Sequence, residues 1–273
     1  HYALNTQQAY ERDLNQLLNF LKTQNINTWP ALNEQLLNTF IMQLRHKNIS
    51  ARSIRRYLSS IKGLLTYLVN QDQLESNCAV QLRTPKIVQN LPSVLNYEQL
   101  LQLLKASSTS RFEYRDVAII EVLYSCGLRV AELVGLDVSD VDLSEGFLKV
   151  VGKGGKTRHT PLGGSAQKAI IKYLETHQAS ALFINKNGDR IGVRSIQNMI
   201  KKRALLAGIK VNVYPHMLRH AAATHFLQSS HDLRSTQEFL GHASIKSTQV
   251  YTHLDFLELS KVYDKCHPRA KKT

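Results

Sequence analysis

The stretch TPKIVQNLPS at residues 84–93 decides how this chain is organised. It contains Pro85 and Pro92, and its apolar side chains follow no helical period, which is typical of a linker. The sequence on either side of it is periodic and rich in apolar residues. We therefore predict two domains, residues 1–86 and residues 94–273, that are joined by a linker at residues 87–93.

Before the linker, apolar stripes at helical spacing predict a small helical bundle. The first helix begins after a polar start at Asn5 and Thr6, and Ser50 opens the third helix. The stripes consist of Leu14, Leu17, Leu18 and Leu21, then Leu36, Leu37, Phe40, Ile41 and Leu44, and last Ile54, Leu58, Ile61, Leu64, Leu65 and Leu68.

The third helix also carries a basic stripe. Arg52, Arg55 and Arg56 are spaced so that they share one face beside the apolar one. Such a face is often simply solvated. The whole chain, however, has 35 Lys and Arg against 21 Asp and Glu, a formal net charge of +14. So large a cationic excess indicates a polyanionic partner.

After the linker, helical stretches surround one short β-rich segment. Residues 147–151 and 156–162 flank the glycine-rich residues 152–155, which predicts a β-hairpin. Helices are predicted at residues 96–106, 112–125, 129–136, 165–176, 195–207, 216–229 and 233–240. The predicted fold class is therefore mainly α with one small sheet.

Cysteine spacing and apolar run length exclude several classes of protein. The 3 cysteines are far apart and form no C-x-x-C pair, so neither a zinc ribbon nor a disulfide framework is indicated, and a reducing compartment fits. The apolar runs are shorter than the roughly 20 residues that a membrane-spanning helix needs, and no leader peptide is evident. We expect a trimmed chain, because it begins at His1 without a methionine.

Two familiar motifs fail on a required residue. The segment GKT at residues 155–157 ends like a phosphate-binding loop, but Val150 stands where that pattern needs a glycine. His216 and His220 have the spacing of a zinc protease helix, but Met217 stands where the glutamate belongs. Nucleotide hydrolysis and metal-dependent hydrolysis therefore lose their best candidates.

The remaining polar residues suit a tyrosine nucleophile. A phenol with a pKa near 10 is a poor nucleophile at neutral pH unless cations or a base activate it. Phosphoryl transfer without a metal needs guanidinium groups to neutralise the non-bridging oxygens. Each candidate alone has an ordinary structural explanation, but their joint occurrence in a basic chain favours this chemistry. In chain order they are Arg129, Lys153, His216, Arg219, His242 and Tyr251.

This order resembles the tyrosine site-specific recombinases, a phage-integrase-like family, over nearly the whole chain. The boxes that carry the resemblance are GLRVAEL at 127–133, GKGGK at 152–156, HMLRH at 216–220, LGH at 240–242 and YTH at 251–253. The ending, from Asp255 to Ala270, is similar to the Xer branch and closest to the XerC type.

The resemblance implies a DNA breaking-rejoining fold in which two domains clamp DNA. Residues 1–86 would be a helical, SAM-like core-binding domain that lacks its first helix, and residues 94–273 a mostly α catalytic domain with a small three-stranded sheet. The resemblance also implies that the C-terminal segment docks on a neighbouring protomer. Its docking face would be Leu259, Val262, Tyr263 and Cys266, although packing on its own domain stays open.

The resemblance also implies a role for each site residue. Tyr251 would attack a backbone phosphate, with Lys153 as general acid and His216 positioning or deprotonating the tyrosine. Arg129 and Arg219 would hold the non-bridging oxygens, His242 would donate a further hydrogen bond, and Glu132 would orient the site. No metal or cofactor is expected. The implied DNA contacts are Arg52, Arg55, Arg56, Lys156 and Arg158.

The implied partners are duplex DNA at a recombination site, a second Xer recombinase in a heterotetramer, and a DNA translocase. The implied role is the resolution of chromosome dimers in the cytoplasm, on the nucleoid. Two alternatives stay open. One is a mobile-element integrase with the same chemistry, and the other is a non-catalytic DNA-binding protein.

Overall fold

The computed structural model describes residues 4–83, 94–106, 112–152, 155–176, 179–241 and 253–270, with only the backbone at 4–5 and 253–258. The chain divides into two compact units, His1–Leu91 and Pro92–Thr273. The predicted linker at residues 87–93 lies outside the described residues, so the domain limits stay a prediction.

The first unit is a bundle of helices around an aliphatic core. Its helices are α1 (Leu4–Thr23), α2 (Glu34–His46) and α3 (Ala51–Asn70). Asn33 and Ser50 cap the second and third, because each side chain accepts a hydrogen bond from a backbone amide of the first turn. Leu17, Leu37 and Ile61 are fully buried at the centre. The apolar stripes therefore face one another as the sequence predicts, except that Leu18 of the first stripe is exposed.

The second unit is mostly helical with one three-stranded antiparallel sheet. The strands β1 (Val141–Asp142), β2 (Phe147–Val151) and β3 (Thr157–Pro161) lie in chain order, and Val151 pairs with Thr157 at the hairpin end. This confirms the predicted fold class. The helices are α4 (Tyr97–Lys105), α5 (Glu113–Ser125), α6 (Val130–Val134), α7 (Gly164–Leu174), α8 (Val193–Leu206), α9 (Pro215–Ser230), α10 (Leu233–Leu240) and α11 (His253–Cys266).

Helix α5 forms the centre of the second unit. Every residue from Ala118 to Ser125 is buried, as expected of a helix that is apolar nearly all round. The chain then turns at Gly127, whose φ of 56° is in the left-handed region. A β-carbon at Gly127 would lie 3.0 Å from the ring of Phe239. The end of α5 and the end of α10 are therefore in close contact at this turn.

The C-terminal helix α11 packs on its own unit. Leu259 and Tyr263 are buried, and the Tyr263 hydroxyl donates a hydrogen bond of 3.0 Å to the Ser125 carbonyl. Farther on, Arg269 forms an ion pair with the buried Glu121 of α5. The sequence left open whether this face packs on its own domain. In this structure it does.

The described parts of the chain hold neither a membrane-spanning helix nor a metal cluster. No helix within them is both long enough and apolar enough to cross a bilayer. No three His, Cys, Asp or Glu side chains come together there as metal ligands would.

Candidate active site

Four charged side chains meet at the start of α6, around the carboxylate of Glu132. This carboxylate accepts hydrogen bonds from the Arg129 backbone amide at 2.8 Å and from Arg129 Nη1 at 2.9 Å. It also accepts two from the Arg158 guanidinium, at 3.0 and 3.1 Å. Arg219 Nη1 lies 3.8 Å from Glu132 Oε2. Three arginines from different parts of the chain thus share one carboxylate.

Local helix chemistry explains the place of Glu132. Arg129 is the N-cap residue of α6, and Glu132 is the third residue of the helix. A glutamate at this position reaches back to the N-cap amide, and its charge is favourable near a helix N-terminus. Because the turn at Gly127 comes two residues before Arg129, the same turn that ends α5 sets where α6 and its carboxylate begin.

Arg219 joins three elements at the back of the site. It lies in the second turn of α9, and it donates hydrogen bonds to the carbonyl of Gly127 and, at 2.7 Å, to the carbonyl of Leu240. These carbonyls belong to the turn after α5 and to the end of α10. The Arg219 guanidinium therefore fixes both segments relative to α9.

The four side chains differ in exposure. The Arg129 side chain is 45% exposed, whereas those of Arg219, Glu132 and Arg158 are 4%, 5% and 11% exposed. A ligand from solvent would therefore meet Arg129 first. The other three form the wall behind it.

The electrostatics of the cluster favour an anion. Burial, and then the charges of Arg129 and Arg158, lower the pKa of Arg219 to about 10 against the opposing effect of Glu132, so Arg219 stays protonated at neutral pH. Burial alone would raise the pKa of Glu132, but hydrogen bonds from Arg158 and from the Arg129 amide outweigh burial and lower it. Three cations therefore face one carboxylate, and the excess positive charge can bind a phosphodiester oxygen.

His216 begins α9 on the same side as Arg219. Burial, and then the charges of Arg219 and His220, lower the pKa of His216 below its usual range. The imidazole is therefore neutral at pH 7. A neutral imidazole at this place can accept a proton, as a base for a tyrosine must.

The structure gives Arg158 a partner within the chain, because its guanidinium is directed inward at Glu132 and only 11% of its side chain is exposed. A contact between Arg158 and DNA stays a prediction. Lys156, at the turn before β3, is exposed and remains available to a ligand. The sequence contained a signal that Arg158 and Lys156 differ in exposure. Arg158 pairs with the buried Val150, and directly opposed residues of an antiparallel pair share one face.

The predicted DNA face of α3 is exposed at Arg52, Arg55 and Arg56. Arg56 also forms two hydrogen bonds of 2.8 Å to Asp13 of α1, whose side chain is fully buried. Sequence reasoning missed this pair. The signal was an acidic residue, Asp13, at helical spacing with the buried Leu17.

The other predicted site residues, Lys153, His242 and Tyr251, lie outside the described residues. Gly241, the residue before His242, has a φ of 62°, which is in the left-handed region. A β-carbon at Gly241 would lie 2.6 Å from Arg158 Nε. Gly241 therefore packs directly against the Glu132 cluster.

Two family models match this chain. Residues 93–258 match the phage integrase family, and residues 1–72 match the phage integrase N-terminal SAM-like domain. The chain is 44% identical over 273 residues to the tyrosine recombinase XerC of Pseudomonas fluorescens. The alignment covers 98% of this chain and 91% of that relative.

Two solved structures are similar in fold. A lambda integrase dimer bound to a COC′ core site aligns with a TM-score of 0.76 at 15% identity, over 92% of this chain and 94% of that chain. The XerH recombinase bound to a palindromic difH substrate, in a post-cleavage complex, aligns with a TM-score of 0.73 at 24% identity. That alignment covers 94% of this chain and 78% of that chain.

Proposed function

This chain belongs to the phage integrase family, and from that membership we propose that it is a site-specific DNA recombinase whose nucleophile is Tyr251. It cuts and rejoins DNA through a 3′-phosphotyrosyl intermediate. The relatives that carry the name tyrosine recombinase XerC support this reaction, since they match nearly the whole chain.

The proposed reaction exchanges one phosphodiester for another. The Tyr251 oxygen forms a bond to phosphorus while the bond between phosphorus and the 5′ oxygen breaks. His216 takes the tyrosine proton, and Lys153 gives a proton to the leaving 5′ oxygen. The free energy of the cut bond stays in the phosphotyrosine, so the reverse attack by a 5′ hydroxyl needs neither ATP nor a metal.

The observation that carries the proposal is the group of arginines held by Glu132. Arg129 and Arg219 would bind the non-bridging oxygens, where negative charge develops in the transition state. His242 would donate a further hydrogen bond. Because Glu132 holds Arg129 in place before DNA binds, the site loses little energy to reorganisation when the charge develops.

We also propose where this activity is used. The partners would be a recombination site in duplex DNA, a second Xer recombinase with which the chain forms a heterotetramer, and a DNA translocase. The role would be the resolution of chromosome dimers, in the cytoplasm and on the nucleoid. XerH, a site-specific recombinase whose structure is bound to a palindromic difH substrate, shares the fold.

The experiment is a trap for the covalent intermediate. A duplex with a candidate chromosomal dimer-resolution site is nicked close to the expected cut, so that a short fragment diffuses away after cleavage. The protein is added in EDTA, with and without a partner recombinase, and adducts that survive SDS are counted. Tyr251→Phe is compared with Tyr114→Phe, which removes the hydroxyl of an exposed tyrosine on α5.

We expect an adduct with the wild type and with Tyr114→Phe, and none with Tyr251→Phe. Salt-sensitive DNA binding without an adduct, even when the partner is present, would support the non-catalytic alternative. Adduct formation only on mobile-element sites would support the integrase alternative.

A further inference from the structure

Arg158 has the geometry of a side chain that fixes another group. Its two terminal nitrogens each bond one oxygen of Glu132, at 3.0 and 3.1 Å. Two parallel hydrogen bonds of this kind set the plane of the carboxylate as well as its position. A lysine ammonium cannot reproduce this geometry, because it is a point charge on a flexible stem.

The plane of the Glu132 carboxylate matters because both of its oxygens also face the catalytic arginines. Oε1 holds Arg129 Nη1 at 2.9 Å, and Oε2 lies 3.8 Å from Arg219 Nη1. If the carboxylate turned, Arg129 would lose its hydrogen bond or Arg219 would lose its ion pair with Glu132, although Arg219 would keep its bonds to two backbone carbonyls. The Arg158 fork therefore acts on two guanidinium groups that it does not itself touch.

The other side of Arg158 lies against Gly241. A β-carbon at Gly241 would be 2.6 Å from Arg158 Nε, 2.8 Å from Cδ and 2.9 Å from Cζ, so the glycine backbone packs directly on the guanidinium. Among the described residues, no acceptor forms a hydrogen bond with this buried Nε. Arg158 thus lies between Glu132 and the residue from which the chain continues to His242 and Tyr251.

We infer that Arg158 is a positioning residue for strand cleavage: it orients the Glu132 carboxylate that faces Arg129 and Arg219, and it packs against Gly241, the residue before His242. This inference rests on the proposed function. Arg158 then affects the rate of cleavage at saturating DNA, and it has little effect on DNA affinity because both of its terminal nitrogens are bonded to Glu132.

The test measures single-turnover adduct formation on the nicked duplex at saturating protein. Arg158→Lys and Arg158→Gln are compared with the wild type, with DNA affinity and the thermal midpoint measured in parallel. Arg203→Lys is the matched control. Arg203 is buried and forms a two-point pair with Glu113, at 2.8 and 2.7 Å, and its other bonds go to backbone carbonyls of α4.

We expect Arg158→Lys to slow cleavage by about 10- to 100-fold, the scale of an error of about 1 Å in a catalytic group. Its DNA affinity should stay within about threefold of wild type. Arg203→Lys should lower the thermal midpoint but leave the cleavage rate of the folded protein within about twofold. Arg158→Lys should be little more active than Arg158→Gln, because the two parallel hydrogen bonds of the guanidinium are required and the charge alone is not enough.

A double-mutant comparison shows whether Arg158 acts through Glu132. In a Glu132→Gln background, Arg158→Lys should cost less than about threefold in rate, because the carboxylate that it orients is already gone. If the rate loss of the double variant equals the product of the losses of Glu132→Gln and Arg158→Lys, the inference is overturned. An equal rate for Arg158→Lys and wild type, or equal slowing by Arg203→Lys, would also overturn it. Absence of an adduct with the wild type would instead overturn the proposed function.

Discussion

Replacing Gly241 by alanine tests the contact between α10 and Arg158. The residue has a φ of 62°, where an L-residue costs about 1–2 kcal/mol. The new β-carbon would also lie 2.6–2.9 Å from three atoms of Arg158. These atoms belong to a buried side chain that two hydrogen bonds hold, so it cannot simply swing away. Such overpacking costs a further ~1–3 kcal/mol.

Gly208 provides the matched control. Its φ is 69°, and a β-carbon there would meet no atom within 4 Å. Gly208→Ala should therefore lose only the backbone contribution of about 1–2 kcal/mol in urea unfolding. Gly241→Ala should lose about 2–5 kcal/mol. Its folded fraction should cleave DNA about tenfold or more slowly, because Arg158 or the segment after Gly241 must move. Equal losses of stability for the two variants, with no change in cleavage rate, would refute this reasoning.

Three further predictions concern other parts of the molecule. Adduct formation should rise with pH over a range below the usual histidine pKa, because the pKa of His216 is lowered, and His216→Gln should remove this rise. Burial lowers the pKa of His267 to about 3, so the unfolded chain binds more protons below pH 6.5. Urea unfolding should therefore show wild type losing about 1.4 kcal/mol per pH unit more than His267→Phe as the pH falls from 6.5 towards 5. Arg52→Ala should weaken salt-dependent DNA binding without changing stability, whereas Arg56→Ala should lose about 2 kcal/mol in urea unfolding by leaving Asp13 buried and unpaired.

Local patterns predicted the elements of the fold well. The helix predicted at residues 233–240 is observed as Leu233–Leu240, and the predicted hairpin strands are observed as Phe147–Val151 and Thr157–Pro161. Both rest on side-chain periodicity and on turn residues, which are properties of neighbouring residues. The predicted end of α5 follows from Gly127 for the same reason.

The centre of the site could be predicted only in part. The sequence indicated Arg129, Arg219 and Glu132 as site residues, but not that Arg158 completes the cluster. Arg158 is separated from Glu132 by 26 positions, so no helical or strand period connects them. Composition also favoured a DNA contact, because a cation in a basic chain is normally exposed. Only the pairing of Arg158 with the buried Val150 shows that its side chain turns inward.

The most direct test of the account identifies the residue that carries the DNA. The trapped adduct is digested with nuclease and trypsin and analysed by mass spectrometry. Trypsin cleaves after Lys246 and Lys261, so the account predicts a modified peptide of residues 247–261 with the nucleotide on Tyr251. A nucleotide on any other residue, or a covalent product that persists in Tyr251→Phe, would contradict it.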